Sequence, residues 1–340
     1  MDELAKIYRD ADGSIEALSK ATIAVIGYGN QGRAQALNMR DSGVRSVVIG
    51  NREDSYRNKA VQDGFPVYPI VDAVKKSDIV MILVPDEVQP QLFTESLEPN
   101  LKPGATLCFA SGYNIAYHEI SPAEEHDVIM VAPRMIGQAV RDRYMARDGF
   151  PAFIDVHQDH SGRAEVTALA LAKAIGALRT GSIQVSFAQE AWMDLLTEQA
   201  VWPLIMKVLV SAFHAQVAEG LPPEAVLLEL YLSKEPAEIL DRAADIGLFE
   251  QLKLHSRTSQ YGQLTAGSRL TNLPIDSFIQ STLKDRIMSG AFAHEWSREQ
   301  VDGSQTLENL TQKLAQHPLT MAEHSYWAKM GGGQKGGSPQ

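Results

Sequence analysis

The run Ile23-Ala24-Val25-Ile26-Gly27-Tyr28-Gly29-Asn30-Gln31-Gly32 carries an apolar, β-prone segment straight into three glycines at G-x-G-x-x-G spacing. It reads as a strand, a tight turn and the start of a helix. Gly27 permits the turn, Gly29 lets a pyrophosphate approach the backbone, and Gly32 lets the helix pack close with its N-terminal N–H groups facing the anion. Residues 33–40 continue as a helix and residues 46–50 form a second strand after Gly43, so the βαβ context that a bare glycine match lacks is present.

The second strand ends in Gly50-Asn51-Arg52-Glu53-Asp54-Ser55. A carboxylate about 20 residues beyond the glycines ordinarily holds the ribose 2′-hydroxyl of NAD. Here Asn51 stands nearest the ribose, and Arg52 and Ser55 offer a guanidinium fork and a hydroxyl that suit a 2′-phosphate. NADPH is the cofactor these residues favour. A solvated charged loop is the other reading, because Glu53 and Asp54 would repel a phosphate if turned inward.

A chain of 340 residues is long enough for two domains, each with a core. With 31 basic and 42 acidic residues the formal charge is −11, which argues against nucleic acid or an anionic membrane as partner and leaves room for a local basic pocket. The single cysteine, Cys108, sits in an apolar run and reads as a buried strand thiol. No signal-like segment opens the sequence, and no uninterrupted apolar run approaches the ~20 residues of a membrane span. A soluble cytoplasmic protein is expected.

Residues before about 21 read as an extension with a short helix. The βα alternation then continues: a strand over 79–84 stops at Pro85-Asp86-Glu87-Val88-Gln89, one over 106–110 delivers Ser111-Gly112-Tyr113-Asn114, and one over 128–132 delivers Pro133-Arg134-Met135-Ile136-Gly137. Strand C-termini line the ligand crevice of a doubly wound sheet, so these turns face the cofactor. A strand over 151–156, a helix over 162–175 and a short segment over 179–184 close the first domain, residues 1–184. From Phe187 to about 220 the sequence reads as one long helix, kinked at Pro203, and helices follow to about 327 with no strong strand candidate. The second domain, residues 185–328, is therefore all-α, and the Gly-rich tail 329–340 is expected to be disordered.

On the long helix Glu190, Asp194 and Glu198 recur at i, i+4 and i+8 and stack three carboxylates on one face. Apolar residues on most other sides imply a buried helix, with Trp202, Met206 and Phe213 in the core. Carboxylates on a buried helix want a cation, and hard oxygen ligands favour Mg²⁺. A solvated acidic stripe is the other reading. His157 and His160 read as surface residues.

Taken together, these residues resemble a short-form ketol-acid reductoisomerase, an enzyme family that uses Mg²⁺ and NADPH to migrate an alkyl group in a 2-hydroxy-2-alkyl-3-keto acid and then reduce the product. The resemblance runs from about residue 23 to 327 through Gly27–Gly32, Pro85-Asp86-Glu87, residues 128–133, Asp194-Leu195-Leu196-Thr197-Glu198-Gln199-Ala200, residues 256–262 and Ala291-Phe292-Ala293-His294-Glu295-Trp296. It implies an α/β Rossmann domain followed by an all-α, knotted C-terminal domain, and a homodimer whose active sites are shared between subunits. It places Tyr28, Asn30, Gln31, Arg52, Ser55, Asp86, Gln89 and Gly137 at NADPH beside the three glycines, Mg²⁺ on Asp194 and Glu198, and substrate on Ser256.

The departures are specific. Family members read Ala-His-Gly-Phe-Asn where this chain reads Ala110-Ser111-Gly112-Tyr113-Asn114, so Ser111 replaces a titratable imidazole. They read Pro-Lys-Gly-Pro-Gly at Pro133–Gly137, so Arg134 keeps the charge but is no tunable acid, and Met135 and Ile136 add apolar bulk. They carry two glutamates four apart on a later helix, whereas here the matching positions, Glu229 and Glu235, are six apart and face different ways on a regular helix. Pro236 suggests a break there. A weakened second metal site follows, and with it impaired alkyl migration, while hydride transfer keeps its parts. The expected function is an NADPH-dependent reductase of a small carbonyl or imine, with Ser111, Arg134, Asp194, Glu198 and Ser256 at the chemistry. The alternatives are a genuine Mg²⁺-dependent ketol-acid reductoisomerase and a catalytically silent dinucleotide-binding protein.

Overall fold

A computed structural model describes residues 5–267, 270 and 273–330, and internal packing divides the chain into two units, Met1–Asp194 and Leu195–Gln340. The first unit is built on a nine-stranded sheet of spatial order β1-β9-β8-β7-β6-β5-β2-β3-β4. The strands are β1 (Ile7–Tyr8), β2 (Ile23–Ile26), β3 (Val47–Gly50), β4 (Val67–Tyr68), β5 (Ile79–Ile82), β6 (Thr106–Phe109), β7 (Asp127–Pro133), β8 (Ala152–Gln158) and β9 (Ser182–Gln184). Neighbours from β4 through β7 are parallel. At the far side β8 reverses against β7, and β1 against β9. The α/β Rossmann domain expected from the glycine run is the one observed.

Strands β2, β3, β5 and β6 are buried along their whole length, as parallel strands covered on both faces must be. The two-residue period sends Ile23, Val25, Met81 and Cys108 to one face and Ala24, Ile26, Val80 and Leu107 to the other. The first face meets Ala34 and Leu37 of α1 (Asn30–Asp41) and Ala168 and Leu171 of a later helix, Ala164–Ile175. Ala73, Val74 and Ile115 cover the second. Cys108 is the buried strand thiol expected of it, and burial pushes its pKa up to about 12. Strand β1 is an addition to the sequence reading: two residues are too few to show a period, and the pairing with β9 is set by the sheet edge.

From Phe187 a helical run extends to Ala218. Pro203 was expected to kink it, and a π-type turn, Thr197–Val201, stands directly before it. Pro203 has no N–H to give the Gln199 carbonyl, and the ladder widens there. Among the described residues the second unit contains helices and no strand, in keeping with an all-α domain. Its buried core holds Phe213, Val226 and Leu227.

Two expectations need correction here. Phe213 is buried as anticipated, but Trp202 and Met206 are 49% and 57% exposed. The run is apolar on more sides than its own unit can cover. The helix is also 32 residues long and, by length and composition alone, apolar enough to cross a membrane. Glu190, Asp194, Glu198 and Lys207 interrupt it and hide it from a count of consecutive apolar residues. Residues 331–340 of the expected tail lie outside the described residues.

Candidate active site

The glycine cradle has the geometry its spacing demands. Gly27 takes φ +92°, and a Cβ on Gly32 would stand 1.9 Å from the Gly27 carbonyl oxygen, so helix α1 could not seat with any side chain there. A Cβ on Gly29 would meet nothing within 4 Å, which leaves open space above the turn that begins α1. Gln31 donates through Nε2 to the Met135 carbonyl at 2.8 Å, and a Cβ on Gly137 would lie 2.3 Å from the Asn30 backbone. The Pro133–Gly137 turn is thereby pinned to the cradle. Tyr28 is fully buried, with its hydroxyl on Asp63 and its N–H on Asn51 Oδ1, and supports the loop from beneath. Arg33, Lys59 and Arg141 line a groove beside Gly29 and Asn30, with Arg33 paired to Asp63 and Arg141 to Asp41.

At the end of β3, Asn51 is buried and its Oδ1 accepts from the Tyr28 N–H at 3.0 Å. Asp54 caps the helix Ser55–Gln62 by accepting from the Tyr56 and Arg57 N–H groups, and it also accepts from Arg52 Nε at 3.0 Å. Asp54 is therefore occupied locally. The Arg52 side chain remains 84% exposed.

The ends of β5, β6 and β7 bring together residues far apart in sequence. Gln89 is buried and braces the turn after β5, donating to the Val84 carbonyl at 2.9 Å and to Asp86 Oδ1 at 3.1 Å. Ser111 Oγ donates to Asp86 Oδ2 at 3.2 Å. Arg134, after β7, lies over the Phe153 ring at 5.0 Å. Its Nη1 donates to Glu190 Oε1 at 2.7 Å, and its Nη2 donates to Asp194 Oδ1. Glu190 also accepts from the Gly112 N–H at 2.7 Å. A Cβ at Gly112 would sit 2.1 Å from the Phe187 carbonyl oxygen, so the position next to Ser111 has no room for a side chain.

Glu190 is 2% exposed. Burial pushes its carboxyl up to about 7, and the Gly112 N–H, which lowers it, does not offset this; Asp194 raises it further and Arg134 lowers it. The cluster thus presents a fixed guanidinium, a hydroxyl and a carboxyl that holds a proton near neutrality. Sequence reasoning had placed Glu190 in the acidic stripe without assigning it to the site, although its i, i+4 spacing to Asp194 was the available signal. Phe153 and the Gly112 N–H gave no such signal. The β8 reversal sets Phe153 opposite Ala132 at the end of β7.

The remaining candidates belong to the second unit. Glu198 is exposed in the π-type turn. Ser256 is exposed and accepts from the Ser259 N–H at 3.2 Å, at the start of the helix Arg257–Gly267. Glu229 lies in the turn Leu228–Leu232, whereas Glu235 opens the helix Glu235–Ile246. Lys234, at φ +69°, breaks the chain direction between them. Pro236 cannot donate back to Leu232 and lies in the first turn of the new helix, so the two glutamates do not share one regular helix. Among the described residues no group of three or more His, Cys, Asp or Glu side chains is arranged to hold a metal ion.

Residues 17–181 match the family model described as acetohydroxy acid isomeroreductase, NADPH-binding domain, and residues 187–330 match that of the ketol-acid reductoisomerase C-terminal domain. The chain belongs to the ketol-acid reductoisomerase family. A ketol-acid reductoisomerase (NADP(+)) of Pyrobaculum arsenaticum is 42% identical over 320 residues, covering 93% of this chain and 96% of that one. One of Pyrococcus abyssi, with the same name, is 42% identical over 324 residues, covering 94% and 96%. A solved structure of an NADH-preferring ketol-acid reductoisomerase from an uncultured archean has a TM-score of 0.89 at 36% identity, covering 94% of this chain and 98% of that one. The protein is thus an oxidoreductase of an NADP-linked family. The cradle, the Arg52 loop, Ser111 and Arg134 fall in the matched NADPH-binding domain, and Glu190, Asp194, Glu198, Glu229, Glu235 and Ser256 in the matched C-terminal domain.

Proposed function

We propose that this member of the ketol-acid reductoisomerase family is an NADPH-dependent reductase of a small carbonyl or imine compound in which the isomerase step is impaired. The observation that carries the reading is the Arg134 guanidinium, held between Glu190 and Asp194 beside a serine where the family has histidine. Ser111, bonded to Asp86, can orient a substrate oxygen but cannot take up a proton as imidazole does. Arg134 supplies a planar positive charge. Glu190 is the group of the cluster placed to hold or release a proton near neutral pH.

NADPH, when bound, supplies the hydride. Gly29, Asn30 and Gln31 would face its pyrophosphate, Arg52 and Ser55 its 2′-phosphate, and Asp86, Gln89 and Gly137 would shape the nicotinamide end, with Gly27 and Gly32 setting the turn. For Mg²⁺ the donor chemistry fits at Asp194 and Glu198, hard carboxylates one helical turn apart in the sequence. The ion supplies polarisation of a ketone and stabilisation of an alkoxide. Glu229 and Glu235 stand on separate helices, which supports the reading of a weakened second site. Ser256 would hold the substrate's polar end.

A domain boundary at residues 184/185 is part of the proposal, supported by the match of separate family models on either side of it. So is a homodimer with shared sites, supported by the exposed apolar face of Trp202, Ile205, Met206 and Val208. A cytoplasmic location agrees with a single, buried cysteine.

The test is NADPH oxidation with 2-acetolactate and, separately, with its isomerised 3-hydroxy-2-keto acid, each with Mg²⁺ and with chelator. Reduction of the second compound but not the first is expected. Robust Mg²⁺-dependent turnover of 2-acetolactate would overturn the impairment and establish an ordinary reductoisomerase. NADPH binding with no turnover across a carbonyl and imine panel would point to a silent binding protein.

A further inference from the structure

We propose that Arg134 is the resident cation at Asp194, so that its guanidinium competes with a divalent metal for that carboxylate and sets the metal affinity of the site. The proposal rests on the reading of Asp194 as a metal carboxylate. Its basis is the way the guanidinium is fixed. The Phe153 ring lies beneath it at 5.0 Å, Glu190 takes one terminal nitrogen at 2.7 Å, and Asp194 takes the other. Glu190 is itself fixed from behind by the Gly112 N–H at 2.7 Å, and the crowding at Gly112 keeps that N–H in place. The fork is therefore aimed at the half-exposed Asp194 by two supports, the ring on one face and Glu190 on the other terminal nitrogen.

A planar fork spanning two carboxylates differs from a lysine at the same place. An ammonium on a flexible stem serves one carboxylate at a time and can withdraw, whereas a stacked guanidinium loses both contacts and its ring if it moves. Arg134 uses only Oδ1 of Asp194, so an incoming metal must either break that pair or bind through Oδ2 beside an undisplaced positive charge. Arg134 acts here through Asp194 and is a positioning residue.

The experiment measures Mn²⁺ affinity by electron paramagnetic resonance of the free ion, with full-length protein and no substrate. The double variant Arg134→Gln/Glu190→Gln removes the guanidinium without stranding a buried carboxylate, and Arg134→Lys is the conservative partner. NADPH binding reports that each variant is folded. Mn²⁺ affinity is expected to rise by about tenfold or more in the double variant and by less in Arg134→Lys, and adding Asp194→Asn should abolish the gain. Unchanged or weaker Mn²⁺ binding in both Arg134 variants, with Asp194→Asn still lowering affinity, overturns the proposal and leaves the metal reading standing. Insensitivity to Asp194→Asn in every background overturns both. If the double variant fails to fold, Arg134→Lys alone decides between the same outcomes.

Discussion

Single residues at the cradle separate a folding role from a binding role. Gly32 has a backbone oxygen 1.9 Å from where a Cβ would go, while Gly29 has open space. Gly32→Ala is expected to destabilise the first unit by about 1–3 kcal/mol through forced displacement of α1. Gly29→Ala should leave the urea midpoint nearly unchanged and weaken NADPH binding, because its methyl would stand where the pyrophosphate must approach. Denaturation and fluorescence titration of the two variants check the pair. Glu190 carries a pH signature. Its native pKa of about 7 lies above the ordinary 4.5, so between those values the folded protein holds a proton that the unfolded chain has lost. Stability should fall as pH rises through that window, by on the order of 3 kcal/mol in total. Glu190→Gln should lack that fall, and urea midpoints at about pH 5 and about pH 8 test it.

At the scale of elements, the ribose-end loop is organised by the cap on the helix Ser55–Gln62. Asp54 accepts two backbone N–H groups there, so Asp54→Ala should cost about 1 kcal/mol in a denaturant melt. The Arg52 guanidinium is held by that same carboxylate and stays exposed. Arg52→Gln is therefore expected to weaken NADPH binding by about tenfold while leaving NADH binding unchanged. Equal loss for both cofactors would remove Arg52 from 2′-phosphate recognition. The long helical run shows a different principle. Proline at position 203 was legible as a disturbance, but its form, a π-type turn rather than a bend alone, followed from the surrounding ladder.

The whole molecule poses a question of covering. Trp202, Ile205, Met206 and Val208 are all more than 40% exposed in the single chain, a contiguous apolar face of the kind that marks an interface. Light scattering should give the mass of two chains or a multiple of it. Trp202→Glu with Met206→Glu should shift that mass toward one chain and reduce turnover in proportion, if the sites are shared. A single-chain mass for the unmodified protein would remove the dimer from the proposed function.

The sequence alone determined the Rossmann unit, the order of the turns that follow its strands and the helical character of the second unit. These rest on local chemistry: glycines that only a cradle requires, apolar runs of strand length, and the absence of such runs after Phe187. It also located the break between Glu229 and Glu235, because Pro236 acts on its own neighbours, although the turning residue proved to be Lys234. Only the tertiary structure decided what Arg134 does. Phe153 reaches it through an antiparallel reversal, Gly112 through a neighbouring strand end, and Glu190 and Asp194 through a helix roughly sixty residues away. Burial of a carboxylate on this helix was legible and is met at Glu190, but the exposure of Trp202 was beyond the sequence pattern, since it depends on which neighbours cover a helix that is apolar on most of its sides.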